Sequence, residues 1–155
     1  MFPGHFGTLA PALPRCEPTI NRMTAPPDIF EMPVSVLSTD IDGQNHVNNI
    51  VYLRWVQEVA IAHWNSLAPA DAQEAIGWVV LRHEIDYKAP AVPGDELLLR
   101  TWVGKASRLS FERFTQIAHA DGRVLAEART LWCPIDPKTG RPTRVSPEVR
   151  SRFST

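Results

Sequence analysis

The chain has 155 residues, 44% of them hydrophobic, and a formal net charge of -1, which suits one domain with a real core and is short for two. So balanced a charge gives no general attraction to nucleic acid or to an anionic membrane surface, and an anionic ligand must be met by a local basic patch. The two cysteines, Cys16 and Cys133, lack CxxC or metal-ligand spacing, so no disulfide framework is expected and a reducing, cytoplasmic setting is favoured.

No stretch approaches the ~20 apolar residues that span a bilayer. The opening MFPGHFGTLAPALPR has neither a basic start nor a clean apolar run, so no secretion signal is expected either. Residues 1–28 carry Pro3, Pro11, Pro14, Pro18, Pro26 and Pro27 and follow no period. Proline lacks the N–H and the φ freedom that ladders and helices need, so this part reads as a disordered tail ahead of a domain over 29–155. Met23 is a candidate physiological start, which the intact mass of protein made from its native gene would decide.

From Phe30 the pattern changes. Phe30, Met32, Val34 and Val36 alternate with Glu31, Pro33 and Ser35, the mark of a half-buried strand, and Pro33 makes it an edge or irregular one. Over 49–67, Ile50, Leu53, Val56, Val59, Ala60, Trp64 and Leu67 recur at three- and four-residue spacings, while Val51, Trp55, Ile61 and Ala62 fill most other directions. A helix apolar nearly all round is expected to be buried nearly all round. Residues 69–75 read as a helical turn. Residues 77–88 alternate, with Val79, Leu81, His83, Ile85 and Tyr87 on one face and Val80, Arg82, Glu84 and Asp86 on the other. Strands over 96–104, 108–119 and 124–133 follow, the last two joined by the hairpin signal Ala120-Asp-Gly-Arg123. A loop over 136–142 and a turn over 146–153 close the chain. One strand, one long helix and a run of hairpin-linked strands predict an α+β fold, with a mostly antiparallel sheet curled around the helix.

Between the first strand and the helix runs Asp40-Ile-Asp-Gly-Gln-Asn-His-Val-Asn-Asn-Ile-Val-Tyr52, a turn crowded with acids, amides and a histidine. Unpaired N–H groups at a helix start carry the positive end of the helix dipole. Donors fixed at a developing oxyanion contribute roughly 10²–10³ each in rate. A carboxylate a few residues upstream can reach a carbonyl carbon or a water beside it, so Asp42 reads as general base or nucleophile, a base being worth ~10²–10⁴-fold. Capping of the helix by Asp42 or Asn45 leaves the same trace in the sequence. Asn48 reads as a cap or turn residue and Asp40 as a turn acid. His46 either satisfies turn backbone or serves substrate and Asp42. Glu58, inside an apolar helix, calls for an ion-pair or hydrogen-bond partner, with positioning of water or an acyl hydroxyl as the other option. Tyr52 reads as core with its hydroxyl tied to something polar, and His63 as a helix-surface or interface residue.

His46, His63, His83 and His119 share no HxxxH or HxH spacing, so no metal site is expected. There is no Gly-rich phosphate loop, no GxSxG elbow and no motif around a cysteine, and no cofactor is expected.

The turn, together with Gln57-Glu58, Ile85-Asp-Tyr-Lys-Ala-Pro90, Gly94-Asp95 and Val124-Leu-Ala-Glu-Ala-Arg-Thr-Leu-Trp132, resembles the hotdog-fold acyl-CoA thioesterases related to 4-hydroxybenzoyl-CoA thioesterase. The likeness runs from Phe30 to Phe153, and its most specific part is D-x-x-x-H-V-N-N-x-x-Y opening a helix. The resemblance implies that Asp42 matches the catalytic aspartate, and that the amides around Asn48 and Asn49 polarise the thioester oxygen. The plant acyl-carrier-protein thioesterases, hotdog relatives, use a D-x-N-x-H turn; here Gln44 takes the middle position. Asn45 stands where the benzoyl-CoA enzymes have glycine.

The candidate set is therefore Asp42, His46, Asn49 and Glu58 for catalysis and Asn45, Asn48 and Tyr52 beside the substrate. Coenzyme A carries phosphates that favour arginine or lysine, and Lys88, Lys105, Arg108 and Ser110 are the candidates, with Arg82 and Arg113 as additions. In the hotdog family active sites lie between subunits, which implies a homodimer or homotetramer with Asp42 facing strands of a second chain. Trp78, Trp102 and Trp132 are poor surface residues that edge pairing would cover. The expected activity is hydrolysis of acyl-CoA, with acyl-carrier protein as the other possible carrier. A hotdog hydratase or dehydratase and a non-catalytic acyl-binding protein are the rivals.

Overall fold

Proline and alternation decide the edges of the sheet. In the computed structural model, which describes residues 28–153, β1 (Phe30–Ser35) turns Phe30, Met32 and Val34 toward the core, leaves Glu31, Pro33 and Ser35 on the other face, and lies at one edge. The expectations for the tail, Met23 and Cys16 fall outside the described residues.

Helix α1 (Asn49–Leu67) contains neither glycine nor proline. It starts at Asn48, whose side-chain oxygen accepts the Ile50 N–H at 3.1 Å, and stops at Ala68, because the residue before Pro69 is pushed out of helical conformation. The short α2 (Ala70–Ala75) leads into β2 (Gly77–Tyr87), β3 (Glu96–Ala106), β4 (Phe111–His119) and β5 (Val124–Ile135), and α3 (Pro147–Ser151) follows. The strands form one sheet in the order β1-β3-β4-β5-β2, antiparallel at every junction. This is the α+β hotdog arrangement. The Ala120–Arg123 turn is made as expected: Gly122 takes φ 91° and the Asp121 carboxylate accepts the Arg123 N–H at 2.9 Å.

The core has two parts, one at each end of α1. Val51, Tyr52, Trp55, Val56 and Val59 pack with Leu97, Leu99, Ile117 and Leu125. Ala60 and Trp64 pack with Phe111, Trp132, Val145 and Val149.

Three expectations need correction. The sheet covers α1 from one side, so Ile50 is 71% exposed and Ile61 55%; the helix is not buried all round. In β2 the register slips between Val80 and Arg82, and such a bulge reverses which side chains face inward. Trp78 and Val80 accordingly pack on the core before it and Ile85 after it, while Val79 and Leu81 are exposed. Trp102 is only 3% exposed, packed on Phe114 with ring centroids 5.8 Å apart, and Trp132 is buried too. Both are covered within one chain, and what the β2 edge leaves open is Val79 and Leu81.

Candidate active site at the start of the long helix

The turn hangs from one buried acid. Asp40, 1% exposed, accepts the Leu37 N–H at 3.0 Å and pairs with Arg54 at 2.9 Å, while its carbonyl takes the Asn48 N–H at 2.8 Å. Arg54 in turn reaches Glu58 at 3.3 Å. A second anchor comes from the loop after β2. The Ala91 carbonyl accepts the Val47 N–H at 2.9 Å, and the Ala91 N–H donates to the Tyr52 hydroxyl at 2.9 Å. Tyr87 donates its hydroxyl to the Asn49 carbonyl at 3.2 Å.

Between the anchors, Asp42 to His46 bulges outward. The Asp42 N–H donates to the His46 carbonyl at 2.8 Å and the Asn45 N–H to the Asp42 carbonyl at 3.1 Å. Asp42 Oδ1 accepts Gln44 N–H at 2.8 Å and His46 N–H at 3.4 Å. Asn45 sits at φ 60°, a left-handed conformation that asparagine tolerates far better than most side chains; this is how the chain manages without glycine there.

What the turn leaves free is specific. Asp42 is exposed, and its second carboxylate oxygen has no partner among the described residues. The half-buried His46 ring likewise makes no hydrogen bond to them. At the helix start, Ile50 N–H is held by the Asn48 side chain and Val51 N–H by the Asn48 carbonyl at 2.9 Å. The Asn49 N–H keeps no partner among the described residues. The Asp42 carboxylate, the His46 imidazole and the Asn49 amide thus belong to one short turn with its backbone already fixed.

The structure bears on several of the expected roles. The Asn48 amide is consumed by Asp40 and its side chain by the cap, so of the two amides expected to face a substrate only that of Asn49 is left without a partner among the described residues. Tyr52 is 2% exposed and its hydroxyl is engaged with Ala91, which makes it core and not a substrate contact; burial pushes its pKa up. Glu58 is half-exposed and tied to Arg54.

The basic cluster does not assemble in one chain. Lys88 pairs with Glu127 at 2.6 Å beside Leu125. Lys105 stands near the end of β3, and the loop carrying Arg108 and Ser110 joins Ala106 to Phe111, which lies opposite Trp132. The seven steps along β5 from Leu125 to Trp132 separate them by roughly 23 Å. In that loop Ser110 shares its hydroxyl with Ser107 at 2.7 Å. Arg82 and Arg129 join Glu84, and Arg129 also Glu112, in ion pairs.

Two residues are placed far from expectation. His63 is buried, stacked on Phe30 at 5.1 Å, and Arg113 is 8% exposed. The Arg113 Nη1 donates to His63 Nδ1 at 2.9 Å and to Thr101 Oγ1 at 3.2 Å. Burial, with the Arg113 charge behind it, lowers the His63 pKa to about 4, so the ring is neutral at pH 7 and accepts through Nδ1. Arg113, Thr130 and His83 lie opposite one another across β4, β5 and β2, with His83 Nδ1 2.9 Å from Thr130 Oγ1. The inward position of Arg113 has a sequence signal: it shares parity with Phe111, Thr115 and Ile117.

No group of three or more His, Cys, Asp or Glu able to hold a metal ion lies among the described residues. Cys133 is a free, buried thiol.

The model of the thioesterase-like superfamily matches residues 36–153. The chain is 23% identical to the acyl-CoA thioester hydrolase YbgC of Escherichia coli O157:H7 over 128 residues, covering 81% of this chain and 96% of that protein. It is 24% identical over 134 residues to the chloroplastic acyl-[acyl-carrier-protein] hydrolase FATB3 of Cuphea viscosissima, covering 80% of this chain. The chain spans only about a third of the plant relative, 32% of its length. Among solved structures, a thioesterase of Thermus thermophilus complexed with coenzyme A and Zn superposes with a TM-score of 0.71 at 26% identity, over 81% of this chain and 97% of that one. The probable thioesterase YbaW of Escherichia coli gives 0.66 at 26% identity, over 79% and 94%.

Proposed function

Since the chain belongs to the thioesterase-like superfamily, we propose that it hydrolyses acyl-CoA thioesters, with Asp42 as general base or nucleophile and the Asn49 N–H as the donor that receives the oxyanion. The carrying observation is the exposed rim of the turn. It holds a carboxylate oxygen of Asp42, the His46 ring and a helix-start amide, none with a partner among the described residues, while their neighbours Asp40, Asn48 and Tyr52 are tied down.

A thioester carbonyl placed over the Asn49 amide would gain stabilisation as charge develops on its oxygen, because that donor is oriented before reaction and helped by the helix dipole. Asp42, fixed through Oδ1, offers Oδ2 to the carbonyl carbon or to a water. Protonation of the leaving thiolate falls to His46 or to solvent. Asn45 shapes the approach through its backbone. Glu58 holds Arg54, and through it Asp40, which makes it a support of the turn.

Coenzyme A is favoured over acyl-carrier protein as carrier, because the relative matched along 96% of its own length is an acyl-CoA hydrolase. The open β2 edge, with Val79 and Leu81 exposed, supports pairing of two chains. Antiparallel pairing there would set the Val80 end of one β2, beside the loop with Arg108 and Ser110, near the Tyr87 end of the other, beside its turn, and in that arrangement Lys105, Arg108 and Ser110 would meet CoA phosphates.

The test is release of free thiol from acetyl-, benzoyl- and lauroyl-CoA. Thiol release from at least one supports the reading; hydration of an enoyl-CoA without thiol release replaces it with a hydratase, and saturable binding without product replaces it with a binding protein.

A further inference from the structure

At the far end of α1 from the Asp42 turn, a cleft of about 580 Å³, counting its part open to solvent, runs between the helix, β2, β4, β5 and the C-terminal segment. Its walls are aromatic: Trp64, Trp78, Phe111, Trp132 and Phe153 all line it, and so does Arg113. Trp64 and Phe153 stack at 5.2 Å, while Trp78 stands edge-on to Phe111 at 5.1 Å.

Three donors of the lining stand out: the Arg113 guanidinium, which no carboxylate of the described residues answers, and the indole N–H groups of Trp78 and Trp132. Arg113 makes no ion pair with any described residue; its partners His63 and Thr101 carry no negative charge. A buried guanidinium without a carboxylate is costly, since little in its surroundings replaces the water it has lost. The indole Nε1 atoms of Trp78 and Trp132 are buried with no hydrogen-bond partner among the described residues. The acid of the lining, Glu112, is committed to Arg129 at 2.5 Å. Positive charge, unmatched N–H donors and aromatic walls are together complementary to an anion carried on an apolar body.

We propose that this cleft binds a small apolar carboxylate, whose charge faces Arg113 and the indole N–H groups and whose hydrocarbon or ring lies against the tryptophan and phenylalanine walls. A planar guanidinium suits a carboxylate because it offers parallel N–H donors, and slots of this kind take their affinity from aromatic surface and their selection from few polar groups. The proposal does not depend on the hydrolase reading. Free acids released from thioesters are nonetheless members of this ligand class.

The experiment is calorimetric titration of the full chain with naphthalene-2-carboxylate and with its neutral isostere naphthalene-2-carboxamide. The carboxylate is expected to bind about 10-fold or more tightly than the amide, the discrimination of one charge-assisted contact. Arg113→Met removes the charge and is expected to abolish that preference. Ile61→Glu, at a lining residue 55% exposed on the helix surface, leaves the core untouched and is expected to weaken the carboxylate selectively. Equal binding of the two probes, no binding of either, or a preference that survives both substitutions would overturn the proposal.

Discussion

The two ends of α1 differ in how a buried charge is met. At the N-terminal end, the acid that enters the core, Asp40, is answered by Arg54 and a backbone N–H, and the Tyr52 hydroxyl by Ala91. At the C-terminal end, Arg113 is buried against a neutral histidine and a hydroxyl with no carboxylate; indole N–H groups without a partner among the described residues occur at both ends, Trp55 at the first and Trp78 and Trp132 at the second. A charge-matched interior can hold an exposed rim rigid, which is what chemistry on a carbonyl requires. An unmatched interior beside a cleft stores a preference for whatever supplies the missing charge.

The sharpest way to break this comparison is to delete one tryptophan at each end. Trp55 is fully buried in the cluster beside the turn, and Trp55→Ala is expected to cost about 3–5 kcal/mol in denaturant unfolding. Trp64 borders the cleft, so Trp64→Ala should cost less, because the space it vacates already opens to solvent. Equal losses would mean that the cleft is closed in solution.

Next in size is the pH response of His63. Its folded pKa of about 4 lies below the ordinary 6.5, so between those values the unfolded chain binds more protons than the folded one, and stability falls as the pH drops. The loss across the window is on the order of 3 kcal/mol. His63→Gln keeps an acceptor for Arg113 and removes the titration, so its stability curve from pH 6.5 to 4 should lie flatter than the wild type's. A curve of the same slope would move the proton uptake elsewhere.

Removing the anchor at the other end, Asp40→Ala, should cost about 2 kcal/mol by leaving the Leu37 N–H and Arg54 without their acceptor, and should lower turnover as the turn loosens. Glu58→Gln is the smallest case. The half-exposed pair with Arg54 is worth about 0.5 kcal/mol, and turnover is expected to hold. A fall of about tenfold or more would place Glu58 in the chemistry.

The elements at both ends were legible because local signals agreed. The limits of α1 follow from Asn48 and Pro69, and the β4–β5 hairpin from Ala120-Asp-Gly-Arg123. Asp42 stood out because a turn has no structural need of so many polar groups. Less visible was anything set by register. A one-residue bulge at Leu81 reverses the faces of β2, and no residue near it announces the slip. Arg113 was legible in part, since it keeps step with Phe111 and Ile117, yet charge argued for the surface and parity for the interior, and parity prevailed. Which first-turn amide stays free depended on the Asn48 N–H bonding Asp40, a contact across eight residues that composition does not encode. Lys88 and Lys105 looked like one patch because sequence distance says nothing about opposite ends of a sheet.

The central claim is that Asp42 acts on a carbonyl held at the opening of α1, and thiol release by Asp42→Asn against wild type tests it most directly. Asparagine keeps the oxygen that accepts Gln44 and His46 N–H, so the fold and substrate KM should persist while kcat falls by ~10²–10⁴. A variant that folds normally and turns over at the wild-type rate would contradict the account.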